Sequence, residues 1–313
     1  MGMPAAAVRA MREEDLVAVR RIFRVAFGTF LGAPDPESFS ADREFAFTRW
    51  RANPAGALVA EADGAIVGSN FVADWGSFGF FGPLTVRPDL WNRGVGQALL
   101  GPTMDLFAQR GVREAGLFTF PHSIKHVALY QKFGFWPRFL TPVLAKDVVA
   151  RETPFEKFSA LGEEDGEQAL AACRELTGAV HDGLDVSVEI RSVRDQKLGE
   201  TVMLWGDRLE AFAVCHAGAE SEAGPGNCFV KFAAVRPAAE TEKTFARLMD
   251  ACEAFATGRG LTRIEAGVNV ARAEAYRHLL ARGFRTSFQG LAMQKPDAPG
   301  FNRPGVFVLD DWR

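Results

Sequence analysis

Tyrosine is almost missing from this chain: 313 residues hold 2 tyrosines, Tyr130 and Tyr276, beside 27 phenylalanines. Aromatic bulk is supplied here by rings without a hydroxyl, so a retained phenol oxygen hints at use of the oxygen. Other scarcities exclude whole classes of protein. Four cysteines (Cys173, Cys215, Cys228, Cys252) lie far apart without paired spacing, and there are only 5 histidines. That pattern points to free, buried thiols and away from a disulfide framework or a metal site. A net charge of −3 lacks the basic surplus that phosphate contacts require, so no nucleic-acid partner is expected. No apolar run approaches the ~20 residues of a membrane span, and no membrane partner is expected. The opening "MGMPAAAVRAMREEDL" has no apolar signal-peptide core, and Ala6 stands where a myristoylation motif has Ser or Thr. A cytoplasmic protein is expected. What is present is ordinary: 48% hydrophobic and 24% charged residues suit one large or two medium domains.

Val8 to Met11 reads as a short strand, and "REEDLVAVRRIFRVAFG" as a helix with Leu16, Val19, Phe23, Ala26 and Phe27 on one face. "GALVAEADGAIVGSNFVADW" reads as two strands around Asp63-Gly64, a hairpin signal. "SFGFFGPLTV" reads as a strand stopped by Pro88. A glycine-containing turn, "WNRGVG", then leads into a helix running to Arg110, with Gly111 as its stop and a kink expected at Gly101-Pro102. "EAGLFTF" is a strand, "SIKHVALYQKF" a helix closed by Gly134, and "FLTPVLA" a strand.

The order then repeats. Aligning "VRP" at Val86–Pro88 with "VRP" at Val235–Pro237 gives an offset of 149 residues. Without a gap, Leu99 meets Leu248, Arg110-Gly111 meets Arg259-Gly260, and Gly134-Phe135 meets Gly283-Phe284. The expectation is an α/β (α+β) protein of two tandem domains, 1–148 and 153–313, joined near "KDVVARETPFEK". Each would be a mixed, largely antiparallel twisted sheet flanked by helices. The tail "FNRPGVFVLDDWR" holds a β-rich run, Val306–Leu309, expected to complete a sheet across to the first domain.

Two glycines at a strand-to-helix turn either supply the positive φ of a tight turn or let backbone N–H groups come close to an anion. A nucleotide P-loop needs Gly-Lys-Ser/Thr where this turn has Gly96-Gln97-Ala98, and a dinucleotide fingerprint wants a third glycine where Leu99 stands. The stretch "LTVRPDLWNRGVGQALL", followed by helix, strand and "SIKHVALYQKFGF", resembles the GNAT superfamily of acyl-CoA-dependent N-acyltransferases. Gly94 and Gly96 match its Gln/Arg-x-x-Gly-x-Gly/Ala signature, and Leu129-Tyr130 with Gly134-Phe135 match its Leu-Tyr-x-x-x-Gly-Phe ending. Three positions depart: Trp91 stands at the Gln/Arg position, Ser123 at a usual Asn, and His126 at a usual small residue.

The resemblance implies acetyl-CoA as donor, with its pantetheine along Leu84, Thr85 and Val86 and its contacts extending over Asn92, Ser123 and Tyr130. The pyrophosphate would rest on the N–H groups of Arg93, Gly94, Val95, Gly96 and Gln97. A main-chain N–H near Val86 would steady the oxyanion, and Tyr130 would protonate the departing thiolate. A small-molecule or peptide amine would be the acceptor. No carboxylate stands on "SFGFFGPLTV", so Asp74, His122 or a water chain would take the proton from the attacking amine. A non-catalytic acyl-CoA-binding protein is the alternative. In the second repeat Lys243 replaces Gly94, Phe245 replaces Gly96 and Leu279 replaces Tyr130. That copy is expected to have lost the cofactor, leaving it to cover a sheet edge, line the acceptor pocket or form a homodimer face.

Overall fold

The computed structural model describes residues 6–313; the Met-Gly start, and with it the lipidation site considered above, lies outside the described residues. The first half contains β1 (Ala7–Ala10), α1 (Leu16–Leu31), α2 (Ala46–Ala52), β2 (Ala57–Ala62), β3 (Ala65–Trp75), β4 (Phe78–Phe81), β5 (Thr85–Val86), α3 (Val95–Gln109), β6 (Glu114–Thr119), α4 (Ile124–Gln131) and β7 (Trp136–Asp147). The second contains β8 (Glu156–Lys157), α5 (Glu163–Val180), α6 (Ser187–Asp195), β9 (Gly199–Trp205), β10 (Leu209–Gly218), β11 (Gly224–Val235), α7 (Thr241–Gly258), β12 (Arg263–Gly267), α8 (Ala273–Ala281), β13 (Arg285–Lys295) and β14 (Val308–Leu309). Among the described residues no helix is long and apolar enough to cross a membrane.

Local chemistry accounts for the boundaries that matter. Asp63 (φ 51°) and Gly64 (φ 73°) both take positive φ, the twist a two-residue hairpin needs between β2 and β3. Helix α1 buries Leu16, Val19, Ile22 and Ala26, the 3–4 spacing of a core-facing stripe. Helix α3 runs unbroken through Pro102. The run Ser77–Val86 is not one strand: it divides at Gly82 (φ 148°). Strand β4 pairs with both β3 and β6, whereas β5 pairs with β3 alone. A gap therefore opens beside β6 where β5 leaves it.

The two halves share one mixed, open sheet in the order β1-β2-β3-β4-β6-β13-β7-β12-β11-β10-β9-β8. Strands β13 and β7 are exchanged. Strand β13 of the second repeat lies against β6 of the first, and β7 of the first lies against β12 of the second. The pairing is self-reciprocal at the 149-residue offset: Trp136 faces Gln294 while Arg285 faces Ala145, as a two-fold axis between the repeats requires. Clusters of buried side chains lie on both faces, one centred on α7 and α8 and another on α5, α6 and the Trp75–Phe78–Phe80 aromatics.

The tail corrects the expectation made for it. Strand β14 pairs with β11 of the second repeat, Ala233 with Leu309 and Ala234 with Val308, and not with a strand of the first. It fills the place beside β11 that corresponds to the gap beside β5, because Ala233–Val235 lie 149 residues after Leu84–Val86.

Candidate active site

A cleft of about 950 Å³ begins at the turn before α3 and runs across the sheet. Gly94 is the N-cap of α3 at φ 84°, a left-handed conformation that favours glycine. Gly96 is less constrained: a Cβ there would meet Leu129 and Leu84 at 3.6 Å and Val86 at 3.9 Å, ordinary contacts. Within the first turn of a helix, N–H groups lack intrahelical acceptors, so those of Val95, Gly96 and Gln97 are available to an anion. Arg93 differs from expectation. Its N–H is directed to the Leu90 carbonyl at 3.3 Å, and its exposed side chain lies outside the cleft lining.

Arg87 donates to the Val67 carbonyl at 2.9 Å. Because antiparallel pairing alternates direction, the Val86 N–H then points away from β3 and into the gap. The Trp91 indole donates to the Val86 carbonyl at 2.8 Å, and Lys125 Nζ lies 4.6 Å from the centre of that indole. Trp91 thus shapes the wall and holds a cation beside the α3 N-terminus, where the resembled signature has a polar side chain.

Tyr130 lines the cleft with its ring packed against Phe81 at 5.8 Å. Burial pushes its hydroxyl well above the usual phenol range, so it keeps its proton at neutral pH. His126 lies one helical turn earlier on the same face of α4. Burial, then Lys125 and His122, bring its pKa down to about 4, so it is a neutral imidazole facing the cleft. His122 stacks on Phe30 at 5.7 Å and lies outside the lining.

Two more expected residues are not brought to this cleft. Asp74 accepts from the Gly76 N–H at 3.0 Å, stands 3.9 Å from Arg110, and borders a separate small cavity beside His216 and Glu222. Ser123 is buried at the α4 N-cap and does not line the cleft. Leu84, Thr85, Val86, Asn92, Gly94, Val95, Gly96, Gln97 and Tyr130 do line it together.

Sequence reading missed the far end of the cleft. Its roof includes Phe23, Phe27, Phe39 and Phe45, and Phe118 and Phe288 lie on its floor. Beyond them Glu265 of β12 pairs with Arg313 at 2.6 Å and Arg43 at 3.5 Å. Burial alone would raise the Glu265 carboxyl, but Arg313 and Arg43 hold it below the usual range. The repeat alignment gives no sign of this residue, since its counterpart is Gly116.

At the matching place in the second repeat the cleft is closed. Phe245 is buried in α7 and packs on Phe307 at 5.2 Å, and Val235 donates its N–H to the Phe307 carbonyl at 3.0 Å. Helix α7 begins at Thr241, before the counterpart of Gly94. The second copy therefore makes a different connection instead of the same turn without glycine, and Gly94 in the first copy serves its backbone conformation as well as any ligand.

Residues 16–135 match the sequence profile of the Acetyltransferase (GNAT) family. The matched span includes the glycine turn and Tyr130 and ends at Phe135. The fold agrees. An acetyltransferase candidate from Pyrococcus horikoshii superposes with a TM-score of 0.70 at 12% identity, covering 100% of this chain and 96% of its own. A GCN5-related N-acetyltransferase from Sphaerobacter thermophilus gives 0.57 at 15% identity over 94% of this chain and 96% of its own. A glucosamine N-acetyltransferase region of a fungal multi-domain β-N-acetylglucosaminidase gives 0.62 at 16% identity, over 93% of this chain but 38% of its own. No curated protein matches the chain in sequence.

Proposed function

We propose that the chain is an N-acyltransferase moving an acetyl group from acetyl-CoA to an amine by direct attack, with one active site, in the first repeat. The observation that carries this reading is the convergence on one cleft of free N–H groups at the α3 N-terminus, the Val86 N–H and the protonated Tyr130. Pyrophosphate would lie on the N–H groups of Val95 to Gln97, with Lys125 as a nearby counter-charge. The pantetheine would pair with β5 in the gap beside β6, much as β14 pairs with β11 in the second repeat. The Val86 N–H would donate to the oxyanion as the amine adds to the thioester carbonyl. Collapse breaks the C–S bond, and Tyr130 gives its proton to the departing sulfur. With Asp74 held elsewhere, water would take the proton from the nitrogen. The second repeat would bind no cofactor and would build the distal wall of the acceptor site. The test is release of free CoA thiol from acetyl-CoA by the purified chain across a panel of amines. Amine-dependent release that is lost in Tyr130→Phe supports the reading; no release with any amine refutes it.

A further inference from the structure

The distal half of the cleft constrains the acceptor, on the reading just given that an amine attacks at Tyr130. The thioester would lie in the gap beside β6, whereas Glu265 stands on β12, with β6, β13 and β7 between. Four strand spacings of about 4.8 Å put it roughly 19 Å away, too far to take a proton from the attacking nitrogen. Its surroundings therefore meet the other end of the acceptor. The way there is aromatic: Phe27 lies 6.1 Å from Phe120, which lies 5.7 Å from Phe288, itself 5.7 Å from Phe118.

The charges at the end of that corridor are unequal. Arg43, Arg263 and Arg313 line it against the single carboxylate of Glu265. Arg313 is also held by Asp311 at 3.0 Å, and Arg43 reaches Glu265 only at 3.5 Å. Arg263 stands opposite Asp147 in the β7–β12 register and has no ion pair among the described residues. An anion completes this arrangement; a second ammonium would face three guanidinium groups.

We propose that the acceptor is an elongated amine with an apolar body and a carboxylate at its far end. The body lies along the phenylalanines, and the carboxylate meets Arg263 and Arg43. Allowing for the reach of an arginine side chain, nitrogen and carboxylate are separated by roughly 12 Å, about the length of an extended tetrapeptide. The acetyl group itself is small, and this corridor is the space left for a nucleophile to approach the thioester.

The test uses the full chain with alanyl-alanyl-phenylalanyl-leucine, its C-terminal amide and spermidine as acceptors, and acetyl-CoA and decanoyl-CoA as donors. The free acid is expected to exceed the amide about tenfold in kcat/KM, the size of one charged contact, and that ratio falls toward one in Arg263→Ala. Equal use of acid and amide, a preference for spermidine, or a preference for decanoyl-CoA would overturn the proposal. Calorimetric binding of the two peptides to the CoA-loaded protein separates the two readings. An acid preference in binding without turnover supports the corridor assignment and refutes acyl transfer. Turnover without an acid preference does the reverse.

Discussion

Val235 donates its N–H to the carbonyl of Phe307 at 3.0 Å, while Val86, its counterpart 149 residues earlier, turns its N–H into an open cleft. The same strand edge is thus presented twice in one chain. In the second repeat it is covered by the chain's own tail; in the first it borders the cleft. Main-chain donors directed into a cleft and not taken by the fold are what an acyl-CoA site needs.

Tyr130→Phe separates the role of the hydroxyl from that of the ring. The ring packs on Phe81 and Phe keeps that contact, so thermal stability and acetyl-CoA affinity should change little. Steady-state turnover should fall about 100-fold, the lower range for loss of a general acid. An unchanged kcat with a good acceptor would remove Tyr130 from the mechanism.

Phe307→Ala tests the plug in the second repeat. Phe307 packs against the buried Phe245, and truncation of a buried phenylalanine costs about 3–5 kcal/mol. A large drop in the urea midpoint is expected, measured by circular dichroism. Acetyl-CoA stoichiometry should stay at its wild-type value, because Phe245 still fills the helix N-terminus. A second site appearing in this variant would mean that the tail alone closes that copy.

Acid should loosen the fold through its buried histidines. Burial holds His126 at about 4 and His216 at about 3, both below the ordinary imidazole value of 6.5. Between those values and 6.5 the unfolded chain binds more protons than the folded one, so stability falls as pH drops through that window. His126→Gln removes one of these groups. The loss of Tm between about pH 6.5 and pH 4 should be smaller in this variant than in the wild type, as scanning calorimetry would record. An identical loss in both proteins would show that His126 is already charged in the fold.

Much of the first repeat was legible in the sequence because its signals are local. Asp63-Gly64 marks a hairpin, and Gly94 and Gly96 mark a helix start. The matched spacing of Leu129, Tyr130, Gly134 and Phe135 marks the helix that faces it. The repeat was legible too: β12, α8 and β13 begin 149 residues after β6, α4 and β7. What no local pattern carries is which strand lies beside which. Strands β7 and β13 have the same hydrophobic character whether or not they are exchanged, so the shared sheet left no trace in periodicity. The distal charges escaped for the same reason. Glu265, Arg43 and Arg313 come from three distant segments and meet only once β7 lies against β12. Asp74 lies outside the cleft lining, beside Arg110 and the Gly76 N–H, partners that strand assignment alone does not supply.

The most direct measurement is calorimetric titration of acetyl-CoA into the full chain and into Gly96→Phe, which copies the second repeat's Phe245. A Cβ at Gly96 makes only ordinary contacts and the ring would extend into the cleft, so the variant should fold normally. One site per chain, abolished by the substitution, is the predicted result. Two sites, or one site that survives Gly96→Phe, would contradict the account.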